Sequence, residues 1–197
     1  MSAQEMSVSD RLHPVWAILP LDTGELGTMS EFLDAMKAHG VRALTALPSK
    51  HKFLLDKISC GEILDTMADL GIPLLLPMSE SSGGRSSWAL VADVLMATPT
   101  LKVIAMQSGP WGEDRQFRPL MREYPGLILE TSKYELDGGI AELCKKYGPQ
   151  RMVYGSGFPQ IALGGALLTA MHADITSDDA ALILGGNLET ILEEVKL

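Results

Sequence analysis

Residues 151–160 read Arg-Met-Val-Tyr-Gly-Ser-Gly-Phe-Pro-Gln, a short apolar run from Met152 to Tyr154 that empties into a glycine turn closed by Pro159. An apolar run of this length, bounded by glycine and proline, has the pattern of a buried strand, because those two residues punctuate regular structure. Working outward, five earlier runs share the pattern: Val15 to Leu19, Val41 to Leu47, Ile72 to Leu76, Leu101 to Met106 and Leu127 to Glu130. They are continuous rather than alternating. Parallel strands covered on both faces show such runs, with helices on one side and a barrel core or second helical layer on the other.

Amphipathic helices fill the intervals. Thr28-Met-Ser-Glu31 reads as a capping box ahead of Phe32, Leu33 and Met36, with Gly40 as the stop. Ser59-Cys-Gly-Glu62 reads as a second capping box before Ile63, Met67 and Leu70, with Gly71 closing the helix. Further stripes are Trp88, Val91 and Leu95; Phe117, Leu120 and Met121; and Ile140, Leu143 and Tyr147, with Gly148 after it. Strand starts recur at the length of one βα unit, which predicts an α/β fold. The expected architecture is a (β/α) TIM barrel, incomplete, with about six parallel strands; periodicity alone also suits a doubly wound sheet. Residues 1–197 are expected to form one domain, and the glycine- and serine-rich stretch Ser81 to Ser87 reads as a βα loop, or more sharply as a mobile lid.

Composition narrows the partners. The net charge is −9 with only 16 Lys plus Arg, so neither nucleic acid nor an anionic membrane is expected as a partner. Met1 to Met6 carries no cationic and apolar leader, and no apolar run reaches the roughly 18 residues of a membrane span; the expected location is cytoplasmic. Cys60 and Cys144 lie in separate helices without a paired motif and read as reduced core thiols. The 11 methionines read as core filler.

Taken in order, the segments resemble the amidohydrolase-related family of metal-dependent TIM-barrel hydrolases. Asp10-Arg-Leu-His-Pro-Val-Trp-Ala-Ile-Leu-Pro20 is similar to an early segment of that family, and Phe32 to Pro48 to its next helix and strand. Leu70-Gly-Ile-Pro-Leu-Leu-Leu76 resembles its Gly-x-Pro strand, Leu101-Lys-Val-Ile-Ala-Met-Gln-Ser-Gly109 its Leu-Lys strand, and Leu127-Ile-Leu-Glu-Thr-Ser132 its Asp-Thr-Ser strand. Ile175 to Leu192 resembles a terminal helix pair, and Gly155-Ser-Gly-Phe-Pro159 resembles a Gly-Ser-Asp-x-Pro turn whose aspartate binds metal.

The resemblance implies a TIM barrel, and it exposes departures. The family's first strand carries His-x-His, which does not occur here, and about two βα units are missing relative to eight, so the chain reads as an N-terminally shortened relative. Family ligand positions fall on Pro77–Met78, Gln107 and Gly157. A zinc or iron site needs three or four converging N, O or S donors, which these residues do not supply. No metal or other cofactor is therefore expected, the alternative being zinc or another divalent ion.

In a barrel the place to search is the carboxyl end of each strand. Glu80, Glu130 and Ser132 are weak catalytic candidates, with Glu130 and Ser132 two apart on one strand face. Lys50, His51, Gln107, Trp111 and Ser156 are candidate ligand-binding residues; Lys50-His51-Lys52 also reads as a solvated loop, and Gln107 with Trp111 as rim packing. Ser49, Glu113 and Lys133 complete the polar set. No dinucleotide fingerprint, nucleophile elbow or phosphate-binding loop occurs.

The first expectation is a small-molecule binder or pseudo-enzyme without the family's hydrolase activity. The alternative is an active metal-dependent hydrolase or decarboxylase acting on a small carboxylate, amide or lactone. An assembly role is a third, because an open barrel leaves two sheet edges that invite pairing, and a homo-oligomer is expected on that ground.

Overall fold

Each of the six apolar runs forms a strand, and all pair in parallel. The computed structural model describes residues 12–109 and 112–197. The strands are β1 (Val15–Ala17), β2 (Ala43–Thr45), β3 (Leu74–Pro77), β6 (Val103–Met106), β7 (Leu127–Glu130) and β8 (Met152–Val153), in the sheet order β1-β2-β3-β6-β7-β8. Sheet order follows chain order, as in a barrel, and excludes the reversal that defines a doubly wound sheet. Among the described residues nothing pairs β1 with β8, and the barrel is open there.

Register sorts the strand residues onto two faces. Leu74 pairs with Val103 and Val103 with Leu127, while Leu75 pairs with Ile104 and Ile104 with Ile128. The first row joins the main core under the helices, which also takes in Leu44, Leu76, Ala105, Leu129 and Met152. The second row, with Val153 and the partly buried Met106, forms a smaller cluster on the concave face. Both sides of the central strands are thus apolar, which is why the runs do not alternate.

Helices α1 (Met29–Ala38), α3 (Lys57–Leu70), α4 (Ser87–Ala97), α5 (Asp114–Glu123) and α6 (Gly139–Tyr147) follow the strands, with a single turn α2 (Pro48–His51) after β2. The Thr28 box forms as expected: Thr28 Oγ1 accepts from the Glu31 N–H at 3.3 Å, and the Glu31 carboxylate accepts from the Thr28 N–H at 2.8 Å. The second box does not. Helix α3 begins one turn earlier, where Asp56 Oδ1 accepts from the Ser59 N–H at 2.8 Å, so Ser59 stands at the third helical position instead of capping. An aspartate three residues upstream offers the same capping chemistry to an earlier turn of N–H groups. Trp88, Phe117 and Tyr134 stack between α4, α5 and the loop after β7, with ring centroids 5.4 and 6.1 Å apart. Phe117 is fully buried, and burial of such a side chain contributes about 1.5–3 kcal/mol. Cys60 is buried and Cys144 half-buried, and burial pushes their thiols up to about 12 and about 11.

Ser81 to Ser87 is no bare loop. Ser81–Ser82 (β4) and Arg85–Ser86 (β5) form a small antiparallel hairpin. It docks on the turn after β2: Ser49 Oγ donates to Ser81 O at 2.9 Å, and the Leu55 N–H donates to Ser82 Oγ at 2.9 Å. After α7 (Leu163–Met171), the expected terminal helix pair is instead one continuous helical run: α8 (Ser177–Ala181), a π-helical stretch from Leu182 to Gly186, and α9 (Asn187–Glu193). The Tyr154 N–H, just beyond β8, takes the carbonyl of Ile183 at 2.8 Å, within the π-helical stretch.

Helix α9 closes the floor of the open barrel. Asn187 Nδ2 donates to Pro149 O and Met152 O at 2.8 and 2.7 Å, Arg42 donates to Leu192 O at 3.3 Å, and Lys102 pairs with Glu194. These partners stand at the amino ends of β8, β2 and β6, so α9 crosses that end of the sheet and inserts Ile191 among Ile104, Ile128 and Val153. No helix among the described residues is long and apolar enough to cross a membrane.

The cap assignment gives a stability test. Asp56→Ala is expected to lower unfolding free energy by about 1 kcal/mol and Ser59→Ala by a few tenths, measured by urea unfolding. A larger loss at Ser59 than at Asp56 contradicts the assignment.

Candidate functional site

Glu130, the last residue of β7, is an inward-facing carboxylate only 5% exposed. It is met by hydrogen-bond donors rather than by a cation. Its Oε1 accepts from the Ser132 N–H at 2.7 Å, and its Oε2 accepts from the Gln107 N–H at 2.6 Å and from Ser132 Oγ at 2.9 Å. One carboxylate therefore ties the loop after β6 to the loop after β7. Gln107 sits at φ +58°, in the left-handed region that non-glycine residues rarely occupy. A conformation of that kind costs on the order of 1–3 kcal/mol and persists where surroundings over-determine it; the Glu130 bond to its N–H does so.

The loop after β8 completes the enclosure. Gly155 lies directly against Glu130, so closely that a methyl group at Gly155 overlaps Oε1. Gly157 has φ +63°, and a Cβ there meets Ile161 Cδ1 at 2.5 Å. The metal-binding aspartate that the resemblance sets at this position would have to take a left-handed conformation and displace the Ile161 side chain. Ser156 Oγ accepts from the Phe158 N–H at 3.2 Å.

Between these loops and the floor lies a cavity of about 360 Å³. Its apolar wall includes Leu75, Ile104, Met106 and Val153, its polar rim Gln107, Ser132, Ser156 and Gln160, and Leu188 of α9 lies at its base. Gln107, Glu130, Ser132 and Ser156 are brought together here. The other candidates are not. Glu80 accepts from the Ser49 N–H at 2.8 Å, capping α2, and Lys50 and His51 are exposed on that turn. Trp111 lies outside the described residues. Glu113 accepts from Trp88 Nε1 at 3.0 Å and from the Gly109 N–H at 3.1 Å, which commits it to the aromatic stack. Sequence reading missed Tyr154, Gly155, Gln160 and Leu188. Tyr154, Gly155 and Gln160 belong to the strand and turn from which the sequence was read, whereas nothing local in the sequence marks Leu188 as a floor residue.

The lining does not suit a divalent metal. Among the described residues Glu130 is the only acidic side chain in it, with both oxygens engaged, and no histidine or cysteine joins it. Among the described residues no group of three or more His, Cys, Asp and Glu is placed to hold an ion. Amide and hydroxyl oxygens are poor substitutes for the imidazole, thiolate and carboxylate donors such ions prefer.

A second concavity, lined by Asp114, Arg118, Tyr134, Leu136 and Glu142 among others, has its charges turned on each other. Arg118 pairs with Asp114 and Glu142, each at 2.6 Å. The Glu142 bond holds the guanidinium above its ordinary range, and burial with Asp114 nearby pushes the Tyr134 hydroxyl up to about 12. It is a structural ion-pair cluster on the flank of α5 and α6.

No protein-family model matches the chain, and no curated protein does. Solved structures do share its fold. An uncharacterised TIM-barrel protein from Bordetella bronchiseptica superposes with a TM-score of 0.77 at 20% identity, over 98% of this chain and 70% of that one. The 5-carboxyvanillate decarboxylase of Sphingomonas paucimobilis gives 0.71 at 12% identity, again over 98% and 70%. A proposed amidohydrolase from Staphylococcus aureus gives 0.61 at 16%, over 83% and 68%. At these identities the likeness concerns the fold alone: a TIM barrel, open among the described residues between its first and last strands.

Removing the Glu130 carboxylate leaves the Gln107 and Ser132 N–H groups without their acceptor. Glu130→Ala is therefore expected to cost about 3 kcal/mol or more, and Ser132→Ala about 1 kcal/mol. Equilibrium urea unfolding reads both, and an unchanged midpoint for Glu130→Ala contradicts the account.

Proposed function

We propose that this chain binds a small molecule in the Glu130 cavity and does not carry out the metal-dependent hydrolysis associated with amidohydrolase-like barrels. One observation carries the reading: the only acidic group in the cavity among the described residues has both oxygens engaged by Gln107 and Ser132. Zinc hydrolases present about three protein ligands and use the ion to bring bound water to a pKa near 7. Here Gln107 and Gly157 stand where the resemblance expects ligands, and Glu130 positions backbone instead.

What persists is the binding architecture. A cavity of about 360 Å³ with an apolar wall and a few convergent polar groups has the proportions of a small-ligand site. It opens among the loops that follow β6, β7 and β8, the end where barrels bind their ligands.

The likeness to a decarboxylase is the observation that favours the alternative, an active hydrolase or decarboxylase using Glu80 and Glu130 as donors. That reading needs the two carboxylates in one site. Glu80 does not line the cavity and is hydrogen-bonded to Ser49.

The test is a ligand-observed NMR screen of uncharged, partly apolar fragments against the wild type and Ser156→Phe, which fills the cavity. The expected result is binding by the wild type that Ser156→Phe abolishes while its melting temperature stays unchanged. A screen without hits, or hits that Ser156→Phe leaves intact, contradicts the proposal.

A further inference from the structure

The chemistry of the lining narrows the ligand class. Resting on the small-molecule reading above, we propose that the cavity selects an uncharged ligand whose polar group carries a paired donor and acceptor, a carboxamide or its equivalent, with Gln107 as the selecting residue.

The first argument is charge. Among the described residues no Lys, Arg or His lines the cavity, and the one charged group there, Glu130, is negative and 5% exposed. A ligand carboxylate entering this space loses its water, gains no cation and approaches a buried carboxylate, a combination that low-dielectric surroundings penalise heavily. A ligand cation fares no better. Glu130 already accepts three hydrogen bonds, and Gly155 packs against Oε1. The charge that would attract a cation is turned toward backbone donors.

The second argument is the neutral polar set. Gln107 uses its backbone N–H on Glu130, and its side-chain amide makes no hydrogen bond among the described residues. A primary amide offers both a donor and an acceptor and is complemented by a group that offers both in return. The Ser156 hydroxyl, accepting from Phe158, retains its proton to donate. Holding Gln107 left-handed fixes the direction from which its side chain leaves the backbone. The apolar side of the ligand then meets Leu75, Ile104, Met106 and Val153. Glu130 is a positioning residue in this arrangement.

The test uses three probes of one shape: benzoate, benzamide and benzamidinium, titrated calorimetrically into the full chain. Benzamide is expected to bind about tenfold or more tightly than either ion. Gln107→Leu is expected to weaken benzamide about tenfold with a wild-type circular dichroism spectrum, and Gln107→Lys, which supplies the missing cation, to move the preference to benzoate. Benzoate binding the wild type as well as benzamide overturns the neutral class, as does benzamidinium binding tightest, which means that Glu130 reaches the ligand. If none of the three binds while fragments of the uncharged screen do and Ser156→Phe abolishes them, the carboxamide class fails and the binding reading stands. If no fragment binds at all, both fail.

Discussion

The buried carboxylate of Glu130 is the interaction on which the upper end of this barrel depends. A charge 5% exposed must be compensated, and here the compensation comes from the N–H groups of Gln107 and Ser132 and the Ser132 hydroxyl. The consequences run outward from it. Gln107 is held in a left-handed conformation, Ser132 is turned back toward β7, and a side chain at residue 155 would displace the carboxylate because Oε1 occupies its space. Three strand-end loops thereby take one arrangement around one cavity. A metal ligand needs a free lone pair directed at the ion, whereas this carboxylate is directed at backbone.

The lower end is settled by a different device. An open sheet leaves its concave face without a natural cover, and the row Leu75, Ile104, Ile128 and Val153 has to be shielded from water. Helix α9 does this from the amino ends of the strands, with Ile191 inserted and Asn187, Arg42 and Lys102 fastening it. The π-helical stretch before it lets a strand-end N–H borrow a helix carbonyl, so the last helical run and β8 are joined by a hydrogen bond as well as by packing. Cavity and floor are one unit, since Leu188 of the same helix lies at the cavity's base.

Much of the fold was legible in the sequence. Continuous apolar runs marked all six strands, and the spacing of one βα unit indicated their parallel order. Helix starts were less legible because capping signals compete: Asp56 and Ser59 both have the right chemistry, and only the tertiary position of α3 favours the aspartate. The site was half legible. Residues at strand ends could be named from periodicity, and Gln107, Glu130, Ser132 and Ser156 do converge. Glu80, Lys50 and His51 also follow strands, yet they serve or flank a neighbouring turn, because the hairpin after β3 draws Glu80 toward Ser49. Leu188 and Ile191 had no signal of their own, since an apolar residue on a terminal helix does not announce which end of a sheet it will cover.

The claim at the centre of this account is that Glu130 holds backbone and not metal. Its most direct measurement is metal content by inductively coupled plasma mass spectrometry, on protein purified without chelator and again after incubation with zinc, manganese and iron followed by dialysis. The account predicts folded protein with metal far below one equivalent in every case. Near-stoichiometric metal that survives dialysis and is lost in Glu130→Ala contradicts it, and returns the cavity to metal-dependent chemistry.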